Sequence, residues 1–201
     1  MKLSEITNVK LFDRGKRGVI STGIYNGKKV AIKVKRQESK AEGRIRNEAE
    51  WLQKLNAHGI GPRFLAYEDD SLIYEFVEGQ FILAFAEQAT EEELQKVILT
   101  TFQQLRQLDI LGVDKGEMTH PQKHLLVTPK QEPVLIDFER CHATSKPQNV
   151  TQFVQFVTRE PLKGKLGFSE PSREVMAEYK RTQSSEAFEK LLSALLPRLD
   201  R

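Results

Sequence analysis

Lys33, Glu48 and Asp137, although far apart along the chain, have the side-chain types needed to hold a phosphorylated ligand. Lys33 ends the β-branched run Val30-Ala31-Ile32-Lys33. In a strand, Ala31 and Lys33 point to the face opposite Val30 and Ile32. The small Ala31 would leave room for a flat base, and the Lys33 ammonium group could reach phosphates attached to it.

Glu48 lies in a segment, 44–56, with the apolar spacing of a helix. It falls on the same inward face as Ile45 and Leu52. A carboxylate directed at a core needs a cation, and Lys33 is the candidate. Considered separately, Lys33 would ordinarily be interpreted as a solvated lysine on an edge strand, and Glu48 as a glutamate at a helix margin.

Asp137 follows the apolar run 134–136 within the string VLIDFER. A carboxylate at the end of a buried strand is poorly solvated, so it needs a metal ion, a hydrogen-bond donor or a proton. The alternative is an aspartate that caps the next turn.

The elements that must position these residues divide into two groups. In the first part of the chain, Asn26-Gly27 separates two β-type runs, 20–25 and 29–35, and predicts a hairpin because both residues tolerate positive φ. The helix at 44–56 follows, and then a second strand pair at 64–67 and 72–77.

After residue 81 the periodicity becomes helical. The segment 91–108 carries one apolar stripe and predicts a central helix. The stripe consists of Leu94, Val97, Ile98, Phe102, Leu105 and Leu108. A hairpin over 125–127 and 134–136 would deliver Asp137, and further helices are predicted at 149–158, 170–181 and 185–195, the last ending at Pro197.

The predicted fold class is therefore α+β, with two lobes. We predict a β-rich nucleotide lobe at 1–77, a hinge at 78–80 and a helical lobe at 81–201. Ligands favour the cleft between such halves.

The composition is that of an ordinary globular protein, with 201 residues, 39% hydrophobic, 29% charged and a net charge of +3. Cys141 is the single cysteine, which excludes an internal disulfide framework. No apolar run is long enough to span a bilayer, and residues 1–5 do not resemble a signal peptide, so we expect a cytoplasmic protein without membrane attachment. Basic clusters at 14–17, 28–36 and 180–181 leave an RNA partner open.

The ordered set of motifs resembles the protein-kinase-like superfamily over roughly residues 10 to 160. The set consists of a glycine-bearing loop at 12–20, VAIK ending at Lys33, Glu48 in a helix, LIYEFVEG at 72–79, KGEMT at 115–119 and LIDFE at 135–139. The chain looks closest to the compact RIO-type kinases, the small kinase subunit of the threonylcarbamoyl-tRNA-modifying complex, lipopolysaccharide core kinases and, most of all, an archaeal group of predicted serine/threonine kinases.

The resemblance implies a bilobal kinase-like fold, with an antiparallel sheet plus one helix in the N-lobe and a reduced, mostly helical C-lobe. It implies ATP and Mg²⁺ as cofactors and transfer of the γ-phosphate to a serine or threonine hydroxyl of a protein, or of the chain itself. The resemblance implies that Lys33 contacts the α- and β-phosphates and is held by Glu48, and that Asp137 binds Mg²⁺. It also implies that the backbone of Glu75 and Val77 contacts adenine, and that Gly15 and Gly18 cover the phosphates.

The catalytic loop departs from this family. Glu117 stands where relatives carry the catalytic aspartate; it can still accept a proton or orient a hydroxyl, but its carboxylate is displaced by about an ångström. The second metal-side ligand is Gln122 or His124, and His124 is favoured because it adjoins a strand. Glu139 replaces the glycine that usually ends the metal-binding tripeptide, as in kinases resembling choline kinase.

Three alternatives remain beside a hydroxyl-phosphorylating enzyme. The chain could be a pseudokinase or ATP-binding module that acts through a protein-complex or RNA partner, or a small-molecule kinase. A zinc site built from His120, His124, Cys141 and His142 is a weaker hypothesis, since Pro121 argues against a helix there.

About a dozen residues separate Asp137 from the next helix, too few for a long activation loop. Sequence leaves the oligomeric state open.

Overall fold

The structure, a computed structural model, describes residues 1–15, 18–36 and 43–196. It has the predicted α+β class, with seven α-helices and a five-stranded antiparallel sheet in the described ranges. The chain divides into two compact units. The first is Met1–Glu78 with Val134–Cys141, and the second is Gly79–Pro133 with the residues from His142 onward. The segment 134–141, assigned from sequence to the helical lobe, thus lies in the first unit.

The first unit is built on the five-stranded sheet, whose spatial order is β1-β2-β3-β5-β4. Its strands are β1 (Thr7–Arg14), β2 (Gly18–Tyr25), β3 (Lys28–Lys35), β4 (Phe64–Glu68) and β5 (Ser71–Glu75). The predicted Asn26-Gly27 hairpin is confirmed: both residues have positive φ, and Tyr25 pairs with Lys28. Such a turn matches the twist of the flanking strands and fixes the register of β2 on β3.

The two faces of β3 are used differently, as the alternation predicts. Val30 and Ile32 join Ile6 and Ile73 in an apolar cluster on one face. Lys33, on the other face, meets helix α1 (Arg44–Asn56), which packs against β3, β4 and β5. Because one residue of slip would exchange these faces, the hairpin register decides where Lys33 points.

The second unit is mainly helical. Its helices are α2 (Ile82–Gln88), α3 (Glu91–Ile110), α4 (Asn149–Val157), α5 (Leu162–Leu166), α6 (Arg173–Thr182) and α7 (Ser185–Leu195). The six residues of the predicted α3 stripe are fully buried. Thr90 and Glu93 form a capping box that fixes the start of α3. The predicted end of the last helix at Pro197 lies outside the described residues.

Short strands complete this part of the chain. They are β6 (Gln80–Phe81), β7 (Val113–Asp114), β8 (Leu125–Val127), β9 (Pro133–Leu135), which begins at the boundary between the units, and β10 (His142–Ala143). β6 pairs with β8 and β7 with β10, both antiparallel. The predicted turn after β8 closes with the Thr128 N–H donating to the Glu132 carbonyl. No helix in the described ranges is both long and apolar enough to cross a bilayer.

Candidate functional site

The first unit brings together the ammonium group and the two carboxylates that the sequence singles out. Lys33 Nζ lies 2.6 Å from Glu48 Oε2 and 2.9 Å from Asp137 Oδ1. Only 10% of the Lys33 side chain and 4% of the Glu48 side chain are exposed, against 30% for Asp137. Charge-assisted hydrogen bonds of this length, mostly shielded from water, fix the three groups relative to one another.

Asp137 adopts an uncommon backbone conformation, with φ of 62°. A non-glycine residue at positive φ costs free energy and persists only where its surroundings impose it. One constraint comes from the next residue, whose backbone N–H donates to Glu48 Oε1 at 3.4 Å. Glu48 therefore binds Lys33 with one oxygen and the Asp137 segment with the other.

Burial and neighbouring charges shift the pKa of Lys33 and of Glu48. Burial alone would lower the pKa of Lys33, but the nearby Glu48 and Asp137 carboxylates outweigh it and raise that pKa. Burial raises the pKa of Glu48, and the Asp137 charge adds to this, while the Lys33 ammonium opposes it. Burial together with the Glu48 charge raises the pKa of the neighbouring Tyr74 phenol. Lys33 is consequently a permanent cation at neutral pH.

The glycine loop reaches the side chain of Lys33. The Gly15 N–H donates to the Gly18 carbonyl at 2.9 Å. A Cβ added at Gly18 would lie 3.2 Å from the Val34 carbonyl oxygen and 3.6 Å from Lys33 Cε. The absence of a side chain at Gly18 thus leaves room beside the lysine. Lys16 and Arg17, which follow Gly15 in the sequence, lie outside the described residues.

Two aromatic side chains of the first unit, Phe12 and Phe76, contact each other. The rings of Phe12 and Phe76 meet edge to face with centroids 5.0 Å apart, and Lys29 Nζ lies 4.0 Å from the Phe76 centroid. Phe76 stands between Glu75 and Val77, the two residues whose backbone was expected to contact adenine. The Glu75 N–H already donates to the Arg63 carbonyl at 2.9 Å.

The second unit holds the predicted catalytic glutamate on a tight loop after β7. Glu117, like Asp137, has a positive φ, of 63°, and its Oε2 lies 3.4 Å from His124 Nε2. Glu117 and His124, both site residues predicted from the sequence, are thus brought together in the second unit. His124 follows a 3₁₀ turn at Pro121–Lys123.

Side chains from α4 fix the backbone of this loop. Asn149 accepts the Lys115 N–H at 2.8 Å and donates to the Val113 carbonyl at 2.7 Å, and Gln152 accepts the Met118 N–H at 3.2 Å. These bonds hold the backbone on both sides of Glu117.

Asn149 is held in turn by a buried carboxylate. Asp109 accepts from the Asn149 amide at 2.7 Å and from the Tyr179 hydroxyl at 2.9 Å. Burial raises the pKa of Asp109, although these hydrogen bonds oppose the shift. Burial, followed by the Asp109 charge, raises the pKa of Tyr179. The network joins α3, α4 and α6 beneath the Glu117 loop.

The residues described do not contain a preformed metal cage. Over 1–15, 18–36 and 43–196, no three histidine, cysteine, aspartate or glutamate side chains cluster so as to hold a metal ion. The zinc hypothesis for His120, His124, Cys141 and His142 is therefore not supported. A Mg²⁺ site differs, because Mg²⁺ keeps several waters and takes one or two carboxylates together with substrate phosphates. The partly exposed, hard oxygens of Asp137 fit that requirement.

No protein-family model matches this chain, and no curated protein matches it. The functional inference therefore rests on the side chains and their geometry.

Several residues of this geometry were not identified from the sequence. Phe76, with Lys29 over its ring, adjoins the residues expected to contact adenine, and Arg44 and Asn47 bind the segment after Asp137. The hydrogen bonds of Asp109 with Asn149 and Tyr179 likewise correspond to no local sequence motif. Aromatic residues at 12 and 76, flanking motifs already recognised, were the one signal that could have indicated the base side.

Proposed function

We propose that the chain binds Mg·ATP in a kinase-like manner and transfers the γ-phosphate to a hydroxyl, with a serine or threonine of a protein, or of the chain itself, as acceptor. The observation that carries this proposal is the contact of Lys33 with both Glu48 and Asp137. Lysine, helix glutamate and metal-binding aspartate are the groups that phosphoryl transfer from ATP requires on the nucleotide side.

In this proposal each residue has one role. Lys33, held by Glu48, neutralises the α- and β-phosphates, and Gly15 and Gly18 let backbone N–H groups approach them. Asp137 would hold Mg²⁺, which supplies charge neutralisation on the transferring phosphoryl group. The exposed Phe12, with 57% of its surface accessible, and Phe76 offer aromatic surfaces to the adenine.

Glu117 is the acceptor-side group. Its carboxylate would orient the attacking hydroxyl and accept its proton, and His124 at 3.4 Å stabilises the carboxylate when protonated or exchanges a proton with it. The sequence leaves Gln122 or His124 as the second metal-side ligand, and the contact with Glu117 supports a role for His124 beside the base.

The test is a radiolabelled-ATP transfer assay with and without Mg²⁺ on the natural chain, Lys33→Ala and Asp137→Ala. We expect Mg²⁺-dependent labelling that both variants lose. Lys35→Ala, two residues along the same strand, is the matched control and should retain labelling. Equal labelling in all four proteins would refute the proposal.

A further inference from the structure

Helix α1 is joined to the Asp137 segment by more than Glu48. Asn47 Nδ2 donates to the carbonyl oxygens of Glu139 and Cys141, each at 3.1 Å. One turn earlier, Arg44 Nη1 lies 3.3 Å from Glu139 Oε1. The Glu139 side chain is 6% exposed, so its charge is shielded from water and the arginine compensates for part of that cost.

Packing holds the same segment against the helix. Phe138 is 1% exposed. A Cβ at Gly61 would lie 2.9 Å from Phe138 Cε2 and 2.7 Å from Leu52 Cδ1, so only glycine permits this approach. Phe138 is therefore closely packed beside α1, and this packing opposes movement of 137–141 along the helix.

We propose that Arg44 and Asn47 are positioning residues that hold 137–141 on α1, so that Glu48 and Asp137 both contact Lys33. We call this set of contacts the α1 latch. The inference rests on the proposed function, and it adds to it the residues that set the position of Asp137 relative to Lys33. Groups that the fold already holds in place do not have to be ordered when a ligand binds, so these contacts should favour ligand binding.

Asn47 is the residue through which the latch can be tested. Its amide carries two N–H donors, which reach two carbonyls from residues two positions apart. Alanine removes both donors and leaves the Lys33, Glu48 and Asp137 side chains unchanged. Arg44→Gln is a milder second variant, since 35% of the Arg44 side chain is exposed.

The same helix supplies a matched control. Asn56, near the end of α1, is also half-buried, and its Nδ2 donates to the carbonyls of Ile60 and Pro62 at 3.1 and 2.9 Å. Asn56 Oδ1 also accepts the Phe64 N–H, so Asn56→Ala removes three side-chain hydrogen bonds from the same helix, none of them made to 137–141. Its partners flank Gly61, which packs on Phe138, so any effect on 137–141 is indirect.

The experiment combines two measurements on the natural chain, Asn47→Ala, Arg44→Gln and Asn56→Ala. Amide hydrogen exchange of 137–141, followed by NMR without ligand, reports the latch itself. Calorimetric titration with adenylyl imidodiphosphate and Mg²⁺ reports its consequence. For Asn47→Ala we expect faster exchange at Phe138 and affinity weakened by about tenfold, since two hydrogen bonds are lost. Arg44→Gln should shift the exchange rate and the affinity in the same direction by less. Asn56→Ala should lower the melting temperature, with much smaller changes in exchange and affinity than Asn47→Ala.

Two results would overturn the latch. One is unchanged exchange at 137–141 in Asn47→Ala. The other is an affinity loss in Asn56→Ala equal to that in Asn47→Ala at equal destabilisation. If the natural chain binds no nucleotide, the proposed function fails, and exchange alone then decides whether Asn47 orders the segment.

Discussion

Lys33 and Glu48 form an ion pair with Nζ 2.6 Å from Oε2, at a site where neither side chain is more than 10% exposed. Two charges removed from water in this way cost desolvation free energy that their attraction only partly returns. Ligand binding therefore explains the presence of the ion pair better than a contribution to the stability of the folded state does. Stability and ligand binding should accordingly separate on mutation.

We first predict such a separation for replacements of this pair. Lys33→Met leaves Glu48 buried without its ammonium partner, and unfolding in urea should show a loss of about 3 to 5 kcal/mol. Adding Glu48→Leu should restore much of that loss, because well-packed apolar residues replace a buried ion pair at little cost. Neither protein should bind Mg·ATP. A double variant as unstable as Lys33→Met would contradict this account.

The second prediction concerns alkaline pH. The pKa of Lys33 and that of Tyr179 are both raised on folding, so the folded state retains protons that the unfolded state loses. Their contribution to stability is complete below the ordinary pKa values near 10 and is lost as pH rises above them. The free energy of unfolding should fall with increasing pH above about 10.

Tyr179→Phe isolates one of these contributions. The variant should be less stable by about 1 kcal/mol at neutral pH, since the hydroxyl no longer donates to Asp109. It should also lose stability less steeply above pH 10, because one raised pKa has been removed. Parallel curves for the variant and the natural chain in urea titrations at pH 7 to 11 would argue against the proposed linkage.

The third prediction separates an enzyme from an ATP-binding module. Glu117→Gln keeps the size of the side chain and removes the carboxylate. If Glu117 orients the hydroxyl, phosphate transfer should fall by about a hundredfold while Mg·ATP affinity is unchanged.

Glu92→Gln, an exposed residue in the first turn of α3, is the control for charge loss and should transfer phosphate normally. Unchanged transfer in Glu117→Gln, together with loss of Mg·ATP binding in Asp137→Ala, would favour the ATP-binding module over the enzyme.

The parts that sequence predicts well are those with local causes. The Asn26-Gly27 turn sets the register of β3, and strand alternation then places Lys33 opposite the Val30 face. Helical periodicity places Glu48 inward, and the α3 stripe is buried as expected. Each rests on residues a few positions apart.

What sequence does not reveal depends on contacts between distant segments. Residue type does not predict the left-handed conformations of Asp137 and Glu117, since aspartate adopts this region only in a minority of its occurrences and glutamate is not enriched in it. The Asn47 bonds to Glu139 and Cys141 join residues more than 90 positions apart. The placement of 134–141 with the first unit has the same origin, because Phe138 packs beside Gly61 rather than against its chain neighbours.

The last prediction assigns the base side of the site. Phe12 contacts Phe76 edge to face, and a base inserted against either ring would gain stacking worth about 1 to 3 kcal/mol. Phe12→Ala should therefore weaken ATP binding by about tenfold or more. Binding of inorganic tripolyphosphate should not change, because it has no base and depends on Lys33. Leu11→Ala removes an equally exposed apolar side chain next to it, 56% against 57%, and should leave both affinities unaltered. If Phe12→Ala weakens ATP and tripolyphosphate by the same factor, the ring acts on the glycine loop and not on the base.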